Sequence, residues 1–207
     1  MKKAIIGKKI GMTQLITEEG KVKPVTVIKT EVVSILEKIS HEDRGYNALK
    51  LSAYDYKKNA TVSKPIQGQF SKYKRAPQKI IFEIRVNSLE EYSDKIEFKT
   101  SDFSVDQSVV IKGKTKGKGF AGTIKLHGFH RGPETHGSKN HRQPGSIGAG
   151  TSPSRVLKGT KMAGRMGNNT TSVKTKILRV DEKQNLIYVL GSIPGAPNNL
   201  IWINADD

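Results

Sequence analysis

Residues 112–168 form a long basic, glycine-rich segment, and this segment constrains the fold of the chain more than any other feature. It holds twelve Lys/Arg residues, one acid (Glu134) and 13 of the 20 glycines, so it carries +11 of the chain's net charge of +17. A stretch with this charge repels itself and cannot build an apolar core alone. A polyanion would neutralise it, and the glycines would let the backbone approach that polyanion closely. The segment therefore predicts contact with RNA.

The rest of the chain has a nearly balanced charge, with 24 basic and 18 acidic residues. The positive charge is thus local and indicates a contact surface. The sequence contains no cysteine, which excludes disulfides and thiolate metal sites. Lys8 and Lys9 interrupt the first apolar run, and no stretch approaches the ~18 apolar residues of a membrane helix. We expect a soluble, intracellular protein with no membrane contact.

Short runs of β-branched residues, alternating apolar and polar, flank the basic segment and predict β-strands. Before the segment they lie at residues 22–29, 32–39, 46–54, 80–86, 96–98 and 105–111, and after it at 175–180, 186–190 and 200–204. Residues 181–185 (DEKQN) predict a hairpin turn. Helix is scarce, and residues 120–127 are the best candidate. Many short strands at close spacing favour a barrel or a sandwich.

The order of these runs predicts one sheet system. The chain leaves this sheet as a long loop and then returns to complete it. Residues 1–111 and 169–207 are expected to form the β body, and residues 112–168 an extended RNA-binding loop. Within the body, residues 57–75 are basic and poorly periodic, which predicts a second, smaller excursion.

The residues that we expect to contact RNA are cations for phosphates, rings that stack on bases or donate to phosphates, and small residues that permit close approach. They are Lys112, Lys114, Lys116, Lys118, Lys125, His127, Phe129, His130, Arg131, His136, Lys139, His141, Arg142, Gly145, Ser146, Gly148, Arg155, Lys158, Lys161 and Arg165.

Two nucleotide-binding patterns also occur in the segment. Residues 117–122 (GKGFAG) match the dinucleotide pattern GxGxxG, but the flanks are not βαβ and the nearest acid is Glu134. Residues 113–115 (GKT) resemble the end of a phosphate-binding P-loop, but Ser108 stands where its first glycine is required. We interpret both matches as products of a Lys/Gly-rich composition, and we expect no cofactor.

Metal binding and catalysis are the next alternatives for the segment. An H-x-x-H pair such as His127 and His130 is compatible with a metal, but zinc sites usually add Cys or a carboxylate, and the local charge repels a dication. Glu134 could act as a lone general base, but pairing with Arg131 or Lys139 is favoured because no second carboxylate is near. We expect neither a metal site nor a catalytic residue.

Three other classes of function compete with a fixed RNA contact. A solvated basic tail is disfavoured because the segment is internal and mixes apolar residues and prolines with its charges. A metal-dependent nuclease needs clustered carboxylates, which the segment lacks. A free nucleic-acid chaperone or nucleoid protein can be distinguished by experiment, because a protein fixed in a large RNA–protein particle cosediments with that particle through a high-salt wash.

Several motifs occur in an order that is similar to a known family. They are residues 7–13 (GKKIGMT), 116–122 (KGKGFAG), 135–137 (THG), 141–142 (HR), 144–148 (PGSIG), 161–164 (KMAG), 179–181 (RVD) and 194–195 (PG). Together they resemble bacterial large-subunit ribosomal protein three, the universal L-three family, over essentially the whole chain. The resemblance implies a six-stranded Greek-key barrel of the translation-factor type that carries a long loop into large-subunit rRNA.

The same resemblance implies a structural, non-enzymatic role in the cytoplasmic ribosome. It implies early binding near the 3′ domain of the rRNA, a loop tip that approaches the peptidyl-transferase centre, and neighbours from the L-fourteen and L-nineteen families. One residue departs from the pattern. Some members carry an N5-methylated glutamine directly after the Gly-Ser-Ile-Gly run, and Ala149 occupies that position here. This chain therefore cannot carry that modification.

Overall fold

The computed structural model describes residues 2–56, 61–92 and 96–205. The described residues are mainly β with little helix, as predicted. The helices are His41–Arg44 (α1), Lys64–Ser71 (α2) and Thr123–His127 (α3). The strands are Ala4–Ile16 (β1), Val22–Glu31 (β2), Val33–Ile39 (β3), Ala48–Asp55 (β4), Gln78–Arg85 (β5), Glu97–Phe98 (β6), Ser108–Lys114 (β7), Phe120–Ala121 (β8), Gly164–Arg165 (β9), Thr170–Asp181 (β10), Leu186–Leu190 (β11) and Leu200–Ala205 (β12).

Six strands close into an antiparallel barrel in the order β1, β12, β7, β10, β11 and β2, with β2 pairing back to β1. This closure confirms the predicted six-stranded barrel. Successive side chains alternate between the two faces of each strand. Ile111 of β7 and Ile201 and Ile203 of β12 are fully buried inside the barrel. The intervening Lys112 and Trp202 are more exposed and face outwards.

The longest described strand, β1, has 13 residues and no counterpart among the predicted strands. In the sequence Lys8 and Lys9 interrupt its apolar run, which hides the strand. In the fold Lys8 is exposed, whereas the Lys9 ammonium group donates hydrogen bonds to the carbonyl oxygens of Ile193 (2.9 Å) and Gly195 (3.2 Å). Because the loop between β11 and β12 supplies these acceptors, a lysine can occupy a buried position on a barrel strand.

A second antiparallel sheet has the strand order β5, β4, β3, β6. The prediction of one sheet system is therefore wrong for residues 33–98, although each strand of the second sheet overlaps a predicted strand. Strands of both sheets show the same alternation of apolar and polar residues, so periodicity alone cannot assign a strand to its sheet. The two sheets share one hydrophobic core, to which the barrel contributes Ile5 and Ile28 and the second sheet contributes Leu49, Leu51 and Phe98.

The predicted excursion at residues 57–75 lies partly outside the described residues, at 57–60. Residues 64–71 form α2, a helix that the sequence analysis does not predict, and Phe70 on α2 is fully buried. Beyond α2 the Tyr73 hydroxyl donates a 2.6 Å hydrogen bond to Glu37 on β3. This bond lowers the pKa of the Glu37 carboxyl. Burial, followed by the same bond, raises the pKa of the Tyr73 phenol to about 12.

Two local predictions are confirmed. Strands β10 and β11 form the hairpin around residues 181–185, with Asp181 opposite Leu186. Helix α3 lies inside the predicted helix 120–127 but begins three residues later, because Phe120 and Ala121 pair with β9 instead. Among the helices of the described ranges, none has the length and apolar character needed to cross a membrane.

The chain divides into two compact units. The barrel unit comprises the described residues up to Lys114 and from Thr170 onward, and it contains the barrel and the second sheet. The loop unit comprises residues 115–169. Strand β7 continues to Lys114, so Lys112 and Lys114 lie on a barrel strand although they begin the basic segment.

Candidate nucleic-acid interface

The two arms of the loop unit meet in a short ladder of backbone hydrogen bonds. The amide of Thr115 donates to the carbonyl of Asn169 at 2.9 Å. Further along, the amide of Lys118 donates to the carbonyl of Met166 at 2.8 Å, and the amide of Met166 donates to the carbonyl of Gly119 at 2.9 Å. The ladder continues into β8 and β9. These bonds fix the spacing of Lys116, Lys118 and Arg165 along the two arms.

Gly167 permits this close approach of the arms. Its φ angle is +77°, and a Cβ atom at this position would overlap the carbonyl oxygen of Lys116 and lie 3.1 Å from the Cα of Gly117. A side chain would therefore meet backbone atoms, which cannot move aside as a flexible side chain can. The sequence supplies a glycine where both the backbone conformation and the space require one.

Helix α3 follows the ladder and ends at Gly128, which adopts a left-handed conformation with φ +72°. Its last turn carries Lys125 and His127, and Lys125 is exposed. A ring nitrogen of His127 forms a 2.9 Å hydrogen bond with the carbonyl oxygen of Met162, and the rings of His127 and Phe129 lie 6.0 Å apart. These contacts tie α3 to the returning arm and leave both rings only partly exposed.

Residues 131–141 form a compact loop held by their own contacts. The amide of Gly132 donates to the carbonyl of His141 at 3.0 Å, and a ring nitrogen of His141 lies 2.8 Å from the carbonyl oxygen of Pro133. A Cβ atom at Gly132 would overlap the carbonyl oxygen of Asn140. By contrast, His130 and His136 are exposed. Among the described residues, no three His, Cys, Asp or Glu side chains come together as metal ligands would.

The charged side chains of the basic segment are almost all positive. All twelve of its Lys and Arg residues are exposed. Glu134, its single acid, is paired with Arg131, which is the pairing favoured by the sequence analysis. In the described part of the chain no other ion pair involves a residue of the segment, so its remaining cations are open to a partner. An array of exposed cations with glycine-rich backbone between them suits the phosphates of a nucleic acid.

Residues 143–155 form the part of the loop unit farthest along the chain from the ladder, and all of them are exposed. The Ser146 hydroxyl donates to the carbonyl of Gly148 at 3.2 Å and lies 3.4 Å from the amide of Gly148. Gly145 has a φ of +81°. Arg142 precedes this stretch, and Arg155 at its end is its one charged residue.

Apolar side chains of the loop unit are unusually exposed. Phe120 is 76% exposed and Leu157 61% exposed, and Ile147, Val156 and Met162 are also exposed. Phe129 is predicted from the sequence to stack on bases, whereas Phe120, the more exposed of the two, is absent from that prediction. The signal for Phe120 is its place in GKGFAG, where Gly119 before it and Ala121 after it are too small to cover the ring.

Comparisons with known proteins agree with these features. A family model described as Ribosomal protein L3 matches residues 78–204, more than half of the chain. A protein named large ribosomal subunit protein uL3 from Carboxydothermus hydrogenoformans is 42% identical over 204 residues, which cover 98% of this chain and 97% of that protein. Another uL3, from Syntrophus aciditrophicus, is 45% identical over 204 residues, with 98% and 93% covered. The protein uL3c of Emiliania huxleyi is 44% identical over 206 residues, with 99% of both chains covered.

Proposed function

Because the chain belongs to the ribosomal protein L3 family, we propose that it is a structural component of the large ribosomal subunit that binds large-subunit rRNA through its basic segment. The observation that carries this proposal is the set of twelve exposed cations whose one neighbouring acid is already paired. RNA phosphates supply the missing negative charge. Relatives are named as ribosomal proteins, and the chain is not an enzyme. Its place is then the cytoplasmic ribosome.

The side chains of the basic segment make different contacts with RNA according to their chemistry. Lys and Arg side chains neutralise phosphates, and the glycines let the RNA backbone come close to the protein backbone. Phe120, which is largely uncovered, stacks on an unpaired base. His127 and Phe129, whose rings lie 6.0 Å apart and are partly exposed, also contact RNA. His130 and His136 donate to phosphates.

The family resemblance carries the proposal further. We assign this chain to an early step of subunit assembly near the 3′ domain of the rRNA, with members of the L-fourteen and L-nineteen families as neighbours. Residues 143–155 approach the peptidyl-transferase centre. Their low charge and small side chains suit close packing against crowded RNA, while the cations on the two arms supply most of the affinity.

Incorporation into ribosomes tests this proposal. Cells express the full chain with Lys116, Lys118 and Arg142 all replaced by Gln, and subunits are sedimented through a high-salt wash. The loss of three positive charges from the arms should strongly reduce the amount of variant in the large subunit. Crosslinking from residues 112–168, mapped at nucleotide resolution, should identify large-subunit rRNA as the bound RNA.

A matched control removes the same charge elsewhere. Lys21, Lys99 and Lys183 are lysines of the barrel unit that have acidic neighbours, such as Glu19 beside Lys21 at 2.8 Å and Glu97 beside Lys99 at 3.7 Å. Replacing these three by Gln should leave incorporation close to the wild-type level. Equal incorporation of the two triple variants would show that the basic segment does not direct rRNA binding.

A further inference from the structure

A groove on the barrel unit combines aromatic walls with a basic rim. Two adjoining cavities of about 290 and 310 Å³ form it, and both are lined by Glu83, Ile84, Lys112 and Asn204. One side of the groove is the outer face of β7 and β12, and the other side is β5. Strand β5 is an edge strand of the second sheet, so its backbone is open on the side away from β4.

The register of the barrel explains why aromatic surface faces this groove. Ile201 and Ile203 of β12 point into the barrel, so Trp202 and Asn204 point outwards. Trp202 lies directly opposite Lys112 of β7. Phe82 of β5 lines the same cavity, and both aromatic side chains are only half-buried. The groove therefore offers two partly open rings where a barrel surface usually offers polar side chains.

The rim of the groove is positively charged. Lys2, Lys3, Arg85 and Lys112 line it, whereas Glu83 is its one acid among the described lining residues. The Arg85 guanidinium is positioned over the ring of Tyr46, 5.0 Å from its centroid. The Lys3 ammonium donates to the carbonyl oxygen of Asp102 at 2.5 Å, which holds it beside the groove. Lys2, Arg85 and Lys112 are exposed.

We propose that this groove binds one unpaired nucleotide of a single RNA strand. Its base stacks on Trp202 and Phe82, and the flanking phosphates contact Lys2, Arg85 and Lys112. Base stacking on aromatic rings and phosphate binding by nearby cations are the usual combination in single-strand binding sites. The volume lies at the lower end of the range for small-molecule pockets. Asn204 adds an amide that can hydrogen-bond to the edge of the base.

An acidic peptide is the competing occupant, because carboxylates also suit a basic rim. The rings favour the nucleotide, since a flat base covers the faces of Trp202 and Phe82 while its phosphates remain at the rim. The site belongs to the barrel unit and shares only Lys112 with the basic segment. The proposal is therefore separate from rRNA binding by the loop unit.

Tryptophan fluorescence tests the groove directly, because Trp202 is the only tryptophan in the sequence. The full chain is titrated with a short single-stranded oligonucleotide, and total binding is followed in parallel by the anisotropy of a label on the oligonucleotide. We expect saturable quenching of the Trp202 emission. Arg85→Gln and Lys112→Gln should each raise the oligonucleotide concentration needed for half-maximal quenching by about tenfold, as expected for loss of a charge-assisted contact.

Lys183→Gln is the control, because this exposed lysine lies on the hairpin between β10 and β11; it should leave the quenching curve unchanged. Thermal unfolding of each variant confirms that the barrel is intact. Oligonucleotide binding without a change in Trp202 emission would contradict nucleotide binding in the groove. It would remain consistent with the proposed rRNA binding by the basic segment. Stronger quenching by a tetraglutamate peptide than by the oligonucleotide would also contradict nucleotide binding in the groove. No binding by either signal would overturn the groove site and would also contradict RNA binding by the basic segment.

Discussion

The backbone of Lys116 passes so close to Gly167 that a Cβ atom on Gly167 would overlap the Lys116 carbonyl oxygen. This approach lies where the two arms of the loop unit are joined by backbone hydrogen bonds on either side. The position of Lys116 and Lys118 on the first arm relative to Arg165 on the second therefore depends on the absence of one side chain.

Gly167→Ala should open the base of the loop unit. Gly119→Ala is the matched control, because Gly119 also has a positive φ (+67°) but a Cβ there has nothing within 4 Å. Each variant carries the ~1–2 kcal/mol cost of a left-handed alanine, and Gly167→Ala adds the steric overlap. Hydrogen exchange at the amides of Lys118 and Met166 should accelerate far more in Gly167→Ala. Equal exchange in the two variants would show that the close approach is unimportant.

RNA affinity should depend steeply on salt. If roughly six to ten of the exposed cations contact phosphates, affinity should fall by about 10³–10⁵ between ~50 and ~200 mM salt. Filter binding of the full chain to an rRNA fragment across a salt series measures the slope. The Lys116, Lys118 and Arg142 triple variant should give a shallower slope, by about one unit per lost contact. A salt-independent affinity would contradict binding through phosphates.

Tyr73→Phe should destabilise the barrel unit by about 1 kcal/mol at neutral pH, because it removes the 2.6 Å hydrogen bond to Glu37 at a partly exposed site. The raised phenol pKa means that folding favours the neutral phenol, so this stabilisation is lost as the pH rises from 10 towards about 12. Because the Glu37 pKa is lowered, folding also favours the ionised carboxylate. The stabilisation by the Tyr73–Glu37 hydrogen bond is therefore also lost as the pH falls below 4.5.

Urea unfolding of wild type and Tyr73→Phe at several pH values checks this prediction. The difference between the two should be largest near neutral pH and should shrink at both extremes. Tyr188→Phe is the control, since the Tyr188 hydroxyl makes no hydrogen bond to the described residues and its ring contacts Arg179. A constant difference across the pH range would mean that the bond does not link Tyr73 ionisation to stability.

Lys9→Met should destabilise the barrel by about 2 kcal/mol, because the carbonyl oxygens of Ile193 and Gly195 lose the buried donor that they share. Methionine keeps a similar length without the ammonium group. Lys29→Met, at an exposed position on β2, should change the free energy of unfolding by less than about 0.5 kcal/mol. Urea unfolding compares the two. A stabilised Lys9→Met would show that burial of the charge costs more than its hydrogen bonds contribute.

The strands were predictable where short runs rich in β-branched and other apolar residues lie between turns, as in β2, β3, β11 and β12. Strand β1 was not predicted, because the tertiary partners of Lys9 are 184 and 186 residues away in the sequence. The separation into a barrel and a second sheet was also not predictable, since β5 and β7 show similar periodicity but bond to different neighbours. Hydrogen-bond partners in sheets are long-range, and local patterns do not encode them.

The candidate site shows the same contrast. The basic segment could be predicted because its cations are concentrated in one stretch of the sequence, which also contains the histidines and Phe129. The groove was not visible, because Lys2, Phe82, Lys112 and Trp202 are far apart in the sequence and only the pairing of β7 with β12 and the position of β5 bring them together. Each of these residues taken alone is an ordinary surface lysine or core aromatic.

The pairing of β1 with β12, in which Ala4 lies opposite Asn204, has a consequence for the newly made chain. The barrel cannot close until β12 has been synthesised as far as Ala205, 36 residues after Asn169 completes the loop unit. At ~5–20 residues per second this delay is about 2–7 s. During that time the nascent chain exposes its basic segment before the barrel has closed. Any factor that keeps the basic segment from binding other RNA during those seconds therefore has to be a separate molecule.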